Sequence, residues 1–569
     1  MPNQPVARGL AEFPEQFASS AAALRGTLEA LGVEFIFGME SPAPLHAELS
    51  RGSSITPVTI RDERSGAFMA DAYAKVSGKP GVIGVAGVGA TNVVQGIVES
   101  FLSSTPVVLF VEEGSPTTRH KNDLQDIDLL PVFASITKWA GRIEDPARVA
   151  DLTAHAFRVA TTGRPGPVYV GCPWDVVSPD PRPVPGVSPD PSTYPAGRVA
   201  PDPASLERTA TLLGGAERPI ILAGGGVLVS RASDELAALA RALGAPVATT
   251  PSGKGSFDEF DPLWAGVAGS FTSGPGGRGR IAHEAIGRAD VILLVGTKTG
   301  SAATANWTVP GGRGQTIVHL DLDPAEIGRN FPGSIPLVGD AKLGLGALAT
   351  ALGRANGPET WAAELLAAEP ERPATAGNAA GADEFVDVED LYAELQGALD
   401  DSTIVVTDAA YATAWAFDRL RFGPPAGRFV TPSGYGTMGY GLPGAIGAAL
   451  ASPSSRVICI SGDGGIGFNL GELETASRIG AAVTIVVLNN GGLAWSRHSN
   501  DHFYGYHGKT EFGDVDYAAA ARGLGCRGTK VRTSKEFAEA FAEALSSDGT
   551  TLIDATIDPA ARPPVDMYD

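Results

Sequence analysis

The chain has 569 residues, 43% of them hydrophobic, with 64 acidic against 43 basic side chains for a formal net charge of −21. That balance argues against nucleic acid or an anionic membrane surface as a partner, and the length suits three or four domains, each with its own core. The three cysteines, Cys172, Cys459 and Cys526, form no CxxC pair, and no apolar run is long enough to span a bilayer; the expected location is therefore cytoplasmic, with neither a disulfide framework nor a zinc site.

Residues 1–12 read as a loose arm. From Gln16 onward, Phe17, Leu24, Leu28 and Leu31 recur at helical spacing, and 33–39 reads as a strand. Strand 55–60 runs directly into RDERSGAFMADAYAKVSG, a helix. Strand 81–86, helix 90–104, strand 106–112 and strand 168–171 repeat the alternation. Strands alternating with helices predict an α/β unit with a parallel sheet over residues 12–178.

Residues 179–204 lie in a run too rich in proline to supply ladder donors and read as a linker. A second α/β unit spans 205–352, with strands at 219–223, 246–249, 291–295 and 317–322. Its Gly224-Gly225-Gly226 lacks full dinucleotide-fingerprint spacing and reads as an ordinary tight turn. Residues 353–384 form a second linker. The third unit spans 385–558, with strands at 404–407, 457–460, 483–488 and 552–556, and 559–569 is an acidic tail or lid.

The most informative stretch is 457–492, VICISGDGGIGFNLGELETASRIGAAVTIVVLNNGG. Two apolar strand-like runs flank a segment that opens on glycines and continues at helical spacing through Leu470, Leu473 and Ile479, which predicts a βαβ unit. Asp463, among Gly462, Gly464 and Gly465, stands where the first strand stops; Asn489-Asn490 stands where the second stops. Parallel strands present their carboxyl ends on one edge, so Asp463 and Asn490 converge there. A carboxylate, an amide oxygen and the Gly492 backbone carbonyl suit Mg²⁺, a hard cation that prefers oxygen. The glycines let backbone N–H groups approach a diphosphate, and a following helix N-terminus favours its charge.

In order and spacing these residues resemble the thiamin-diphosphate (ThDP) signature, GDG followed after about two dozen residues by NN. The resemblance extends over 15–558 and is strongest to the acetolactate-synthase-like branch. It implies three doubly wound parallel-sheet α/β domains: pyrimidine-binding (12–178), central (205–352) and diphosphate-binding (385–558). It implies ThDP and Mg²⁺ as cofactors, with Asp463, Asn490 and Gly492 as metal ligands. Gly462, Asp463, Gly464, Gly465, Asn490 and Gly492 would line the cofactor.

On the same resemblance Glu63 is the catalytic glutamate that activates the aminopyrimidine. It follows a strand and opens a helix leading to Ala72-Tyr73-Ala74 and then SGKPGV at 77–82, although a glutamate in a first turn also serves as a helix cap. GVGATN at 87–92 is similar to the family's GPGATN, with Val88 for proline, and assigns Gly87 and Asn92 to the cofactor. Gln125 falls on a glutamine that lines the active site in relatives, and Lys138 on the family's TK pair. GYGTMGYGLPGAIGA at 434–448 is similar to the cofactor clamp, in which Met438 would bend the two ThDP rings together and the Gly436 carbonyl would accept from the 4′-amino group. In such enzymes the pyrimidine domain of one subunit faces the diphosphate domain of another, so a homodimer or homotetramer is expected.

The cofactor's chemistry makes or breaks a C–C bond next to a carbonyl. The first reading is an acetolactate-synthase-like carboligase acting on a 2-oxo acid, with an aldehyde or acyloin as further small-molecule substrates. The alternative is a lyase of a 2-hydroxy ketone or 2-hydroxyacyl-CoA, and a third is a non-catalytic ThDP-binding subunit. After the strand at 291–295 the chain carries GTKTGSAATANW in place of an RFDDR-like segment, which leans against FAD. Trp495, Arg497, His498 and His502, in the loop after Asn490, are candidates for substrate contact. Arg119-His120-Lys121 is either a loop for a carboxylate or CoA phosphate, or a charged surface.

Overall fold

The computed structural model describes residues 14–566 apart from 188, 313, 354–359, 369, 371–383 and 507. The expected N-terminal arm and most of the second linker lie outside the described residues. The remainder divides near Ala196 into two compact units.

The first unit holds β1 (Gln16–Phe17), β2 (Phe35–Gly38), β3 (Thr56–Thr59), β4 (Gly81–Ala86), β5 (Val107–Glu113), β6 (Trp139–Arg142), β7 (Val168–Pro173) and β8 (Val184–Pro185). Strands β2 to β7 form a parallel sheet in the order β3-β2-β4-β5-β7-β6. The second unit carries two more six-stranded sheets. One comprises β9 (Pro219–Ala223), β10 (Val247–Thr249), β11 (Trp264–Val267), β12 (Val291–Val295), β13 (Thr316–Asp321) and β14 (Ile335–Val338), ordered β11-β10-β9-β12-β13-β14. The other comprises β15 (Thr403–Thr407), β16 (Phe429–Val430), β17 (Arg456–Gly462), β18 (Val483–Asn489), β19 (Arg527–Val531) and β20 (Thr551–Thr556), ordered β16-β15-β17-β18-β20-β19. All three are the expected doubly wound α/β sheets.

Central strands such as VILLV in β12 are buried on both faces, as a sheet covered by helices on each side requires. Along β9, Ile220 and Leu222 enter one core while Ile221 and Ala223 enter the other. Five strands of the three six-stranded sheets were not legible in the sequence, namely β6, β11, β14, β16 and β19, and each lies at a sheet edge. Edge strands are short and part-solvated: β6 reads WAGR and β19 RGTKV, with no continuous apolar run.

Two expectations at chain connections change. The first helix begins at Ser20, where the Ser19 side chain accepts from the Ala22 N–H; Gln16 and Phe17 instead form β1, paired antiparallel with β8. Strand β8 lies inside the proline-rich linker, on a two-stranded edge where proline is tolerated. The linker then packs back on the first unit: the N–H of Ser192 donates to Leu31 O at 2.8 Å, and that of Ala196 to Thr161 O at 3.1 Å. Part of the second linker, Ala363–Ala367, is helical.

In each sheet the chain reverses its direction of travel between two adjacent strands: β2 and β4, β9 and β12, β15 and β17. Ligands of open α/β sheets bind outside the carboxyl ends of such a pair.

Candidate active site

At the β15/β17 reversal, β17 ends in Gly462 and Asp463 opens a single turn, Asp463–Ile466. The predicted continuous helix is broken at 467–471 and resumes as Glu472–Ile479, so a diphosphate here would meet one helical turn. Asp463 is buried. Its Oδ1 accepts from the Gly464 N–H at 2.9 Å and its Oδ2 from the Gly492 N–H at 2.8 Å, which ties the ends of β17 and β18 together. Burial raises its pKa to about 6 against the opposing pull of these backbone donors.

The Asn490 side-chain oxygen is buried and has no hydrogen-bond partner. A buried acceptor left unpaired costs about 1–3 kcal/mol, so this oxygen beside the Asp463 turn fits a cation that the protein itself does not supply. The Gly492 carbonyl accepts from the Ala494 N–H at 3.1 Å and keeps a second lone pair. The donor set is thus all oxygen, as Mg²⁺ prefers.

The glycines of the turn differ in their reasons. A Cβ on Gly464 would lie 2.7 Å from Leu493 Cδ2 and 3.3 Å from Met438 Cε, and one on Gly465 would lie 2.8 Å from Asp408 Cγ; on Gly462 it would meet Ala410 only at 3.8 Å. Crowding against the buried Asp408 therefore demands Gly465, while at Gly464 only movable side-chain ends, Met438 among them, stand against the turn. Gly436 and Gly439 flank Met438 with φ of 72° and 85°, a backbone that side-chain-bearing residues avoid.

Two supporting acids were missed in the sequence. Asp408, just past β15, and Asp554, in β20, are both fully buried. Asp554 accepts from the Asn489 amide at 2.9 Å and from the Tyr517 N–H at 3.1 Å, while the Tyr517 hydroxyl donates to the Asp463 carbonyl at 3.2 Å. Asn489 thus braces the turn while Asn490 faces the site. An acid beside an apolar strand was the available signal, but nothing local distinguishes it from a helix cap.

The segment after Asn490 is a helix, Ala494–Tyr504, where a loop was expected. Its periodicity decides which side chains are free. Trp495 packs against Tyr411 and Phe271, with ring centroids 5.2 and 5.9 Å away. Arg497 lies against Gly492, and its Nε is buried without a partner. His498, one turn after the buried Ala494, is itself buried, with both ring nitrogens engaged within the protein. Its Nε2 lies 3.2 Å from the Pro559 carbonyl, which can only accept, so Nε2 carries the proton and Nδ1 accepts from the Tyr411 hydroxyl at 3.1 Å. Burial, then the nearby Arg562, lowers its pKa to about 4.

In the first unit, Glu63 opens helix Glu63–Ser77 behind the Asp62 cap. Its Oε2 accepts from the Asn92 amide at 3.0 Å, and a Cβ on Gly89 would stand 2.6 Å from its Oε1. GVGATN, expected as a loop ahead of a helix, is the first turn of helix Gly87–Ser103. The Val88 N–H donates to Gln125 Oε1 at 3.1 Å, a bond that proline at this position could not make. Glu63, Gly87, Asn92 and Gln125 therefore gather at one helix start. Lys138 does not join them: its ammonium caps helix Val149–Thr161 through the carbonyls of Val159 (2.5 Å) and Thr162 (2.7 Å), and burial lowers its pKa to about 8. His120 and Lys121 are exposed; Arg119 stands 4.0 Å from Glu144.

A three-sheet α/β chain with an oxygen-lined turn at a sheet reversal defines the class. Residues 19–132 match the model of the thiamine pyrophosphate enzyme N-terminal TPP binding domain, 206–348 that of the central domain, and 408–555 that of the C-terminal TPP binding domain. The chain belongs to the thiamine pyrophosphate enzymes. Within them it is similar to the probable acetolactate synthase large subunit of Methanocaldococcus jannaschii, with 34% identity covering 96% of this chain and 93% of that protein. The acetolactate synthase large subunits of Parasynechococcus marenigrum (33% identity, 97% and 90% covered) and Corynebacterium glutamicum (30%, 96% and 88%) are likewise similar. Among the described residues no helix is long and apolar enough to cross a membrane.

Proposed function

We propose that this chain is a ThDP- and Mg²⁺-dependent carboligase of the acetolactate-synthase kind, joining a 2-oxo acid to a second carbonyl compound. The observation that carries the reading is the buried, unpartnered Asn490 oxygen beside Asp463 at the β15/β17 reversal. Asp463, Asn490 and the Gly492 carbonyl would hold Mg²⁺, with Gly462, Gly464 and Gly465 lining the diphosphate. Bound ThDP supplies a carbon nucleophile that also stores the electron pair left by CO₂. Met438 would press on the bound cofactor, the Gly436 carbonyl would be available to accept from its amino group, and Glu63 would hold a proton against its pyrimidine. Asn92 holds the Glu63 carboxylate, and Gln125 lines the same side. Trp495 and Arg497 would meet the substrate, Arg497 offering a guanidinium to its carboxylate, and His120 stands exposed for an anionic end.

The assembly proposed is a homodimer or a tetramer of two, in which Glu63 of one copy completes the Asp463 site of the other. Leu124, Val88 and Ile127, exposed around Gln125, support a covered face there. The central domain is proposed to work without flavin: Gly224 and Gly226 pack tightly on the Gly296 backbone, so these glycines are spent on contact between two turns and do not open a phosphate cradle.

Glu63→Gln should retain ThDP while losing at least about a hundredfold in turnover, and Asp463→Ala should lose both ThDP and Mg²⁺. Cofactor content measured beside acetolactate formation from pyruvate tests this. Equal cofactor loss in both variants, or full rate in Glu63→Gln, refutes the roles. Cleavage of acyloins with inertness to pyruvate replaces the carboligase by a lyase, and bound cofactor with no turnover of either makes the chain a binding subunit.

A further inference from the structure

Asp408 occupies the other strand end of the reversal. Its backbone N–H donates to the Ile460 carbonyl of β17 at 3.0 Å, and its carbonyl accepts from the Thr413 hydroxyl. The carboxylate takes the Gly439 N–H at 3.0 and 3.1 Å on its two oxygens, the Gly441 N–H at 3.0 Å and the Ser461 hydroxyl at 3.4 Å. A Cβ on Gly441 would lie 3.2 Å from it and one on Gly465 2.8 Å. One buried side chain therefore stands between two segments, 436–441 with Met438 and 461–465 with Asp463.

The Gly439 and Gly441 donors are backbone N–H groups, so the tie is directional and fixes backbone atoms, while the Ser461 hydroxyl adds a side-chain donor shared with the Gly462 carbonyl at 3.1 Å. Breaking it would strand a buried carboxylate. Gly439 is also the residue that turns the chain at positive φ directly after Met438, and its carbonyl is held from the other side by the Asn469 amide at 2.6 Å. Met438 Cε, in turn, reaches the Gly464 turn. The separation between Met438 and the Asp463 turn thus depends on Asp408.

We propose that Asp408 is a positioning residue for the cofactor: by holding the Gly439 and Gly441 amides against the Ser461–Gly465 corner it sets how Met438 presses on bound ThDP. This rests on the ThDP reading above. An asparagine is nearly isosteric but presents an NH₂ toward one of the glycine N–H donors, so it keeps volume and loses the tie.

The test uses the full-length protein with Mg²⁺ and ThDP. Wild type, D408N, M438A and the double variant are compared for ThDP dissociation constant and for the rate at which the bound thiazolium C2 proton exchanges with deuterium, read by quenched-flow NMR. The expected result is exchange at least tenfold slower in D408N at saturating ThDP, with the double variant no slower than the worse single variant. Exchange within twofold of wild type in D408N, or losses that multiply in the double variant, overturns the proposal. If D408N does not fold, Ser461→Ala, which removes one donor, should slow exchange two- to fivefold, and an unchanged rate refutes the tie. Failure of the wild type to bind ThDP would refute the family chemistry itself and is distinguishable from failure of D408N alone.

Discussion

At the scale of single residues, the site is a set of buried polar atoms whose partners were chosen by geometry. His498 illustrates the consequence. Its pKa is lowered to about 4 by burial, against about 6.5 for a free histidine. Between those values the unfolded chain binds a proton that the native site refuses, so stability falls as pH drops from about 6.5 to about 4, by about 3 kcal/mol in all. Asp408 and Asp463, raised to about 6, act in the opposite sense over part of the same range. The difference between wild type and His498→Gln isolates the histidine: urea midpoints should converge as pH falls from neutral toward 4. Parallel curves would show that His498 is not held neutral. Its two bonds, to Tyr411 and to Pro559, commit both ring nitrogens within the fold.

At the scale of elements, helix ends decide roles that motif position alone assigned otherwise. Lys138 matches a family pair yet serves the C-terminus of helix Val149–Thr161, where its ammonium meets two carbonyls that have lost their intrahelical donors. Lys138→Met should lower stability by about 1–2 kcal/mol, towards the lower figure because burying the charge already costs part of the gain. If the chain is the carboligase proposed above, its KM for pyruvate should not change; a change in KM with unaltered stability would return Lys138 to the substrate. The same reasoning applies to helix Ala494–Tyr504: once Asn490 and the glycines after it are followed by a helix, the spacing of Ala494 and His498 puts both inside, while Arg497 lies against Gly492.

At the scale of the whole molecule, the second unit is locked by a fully buried ion pair. Lys254, just after β10, donates to Glu259 Oε2 at 2.9 Å and to the carbonyls of Phe417 and Leu420 at 3.1 and 2.7 Å. Those carbonyls end helix Tyr411–Arg419, which starts beside Asp408. Glu259 in turn accepts from the Gly255 and Phe422 N–H groups at 3.1 Å. The central sheet is thereby tied to the element that leads out of the site. Lys254→Met leaves the buried Glu259 without its counter-charge and should cost about 3–5 kcal/mol. Lys254→Met with Glu259→Leu should recover part of that loss in urea unfolding; a double variant worse than the single would contradict the account. The chain's acidic end is also engaged: Val565 is buried, and the Asp566 N–H donates to the Ser270 carbonyl at 2.9 Å.

The sequence by itself determined the α/β class and the central strands of each six-stranded sheet, and it singled out the residues proposed for both halves of the site. Continuous apolar runs, strand-end glycines and the GDG–NN spacing are local patterns with local physical causes. Only the tertiary structure decided which acids brace the turn, that Lys138 and His498 are committed elsewhere, and where the edge strands run. Those outcomes depend on burial and on partners dozens to hundreds of positions away, as between Asp408 and Gly439 or Lys254 and Leu420. Hydrogen bonding across such separations leaves no periodicity in the chain from which it could be read.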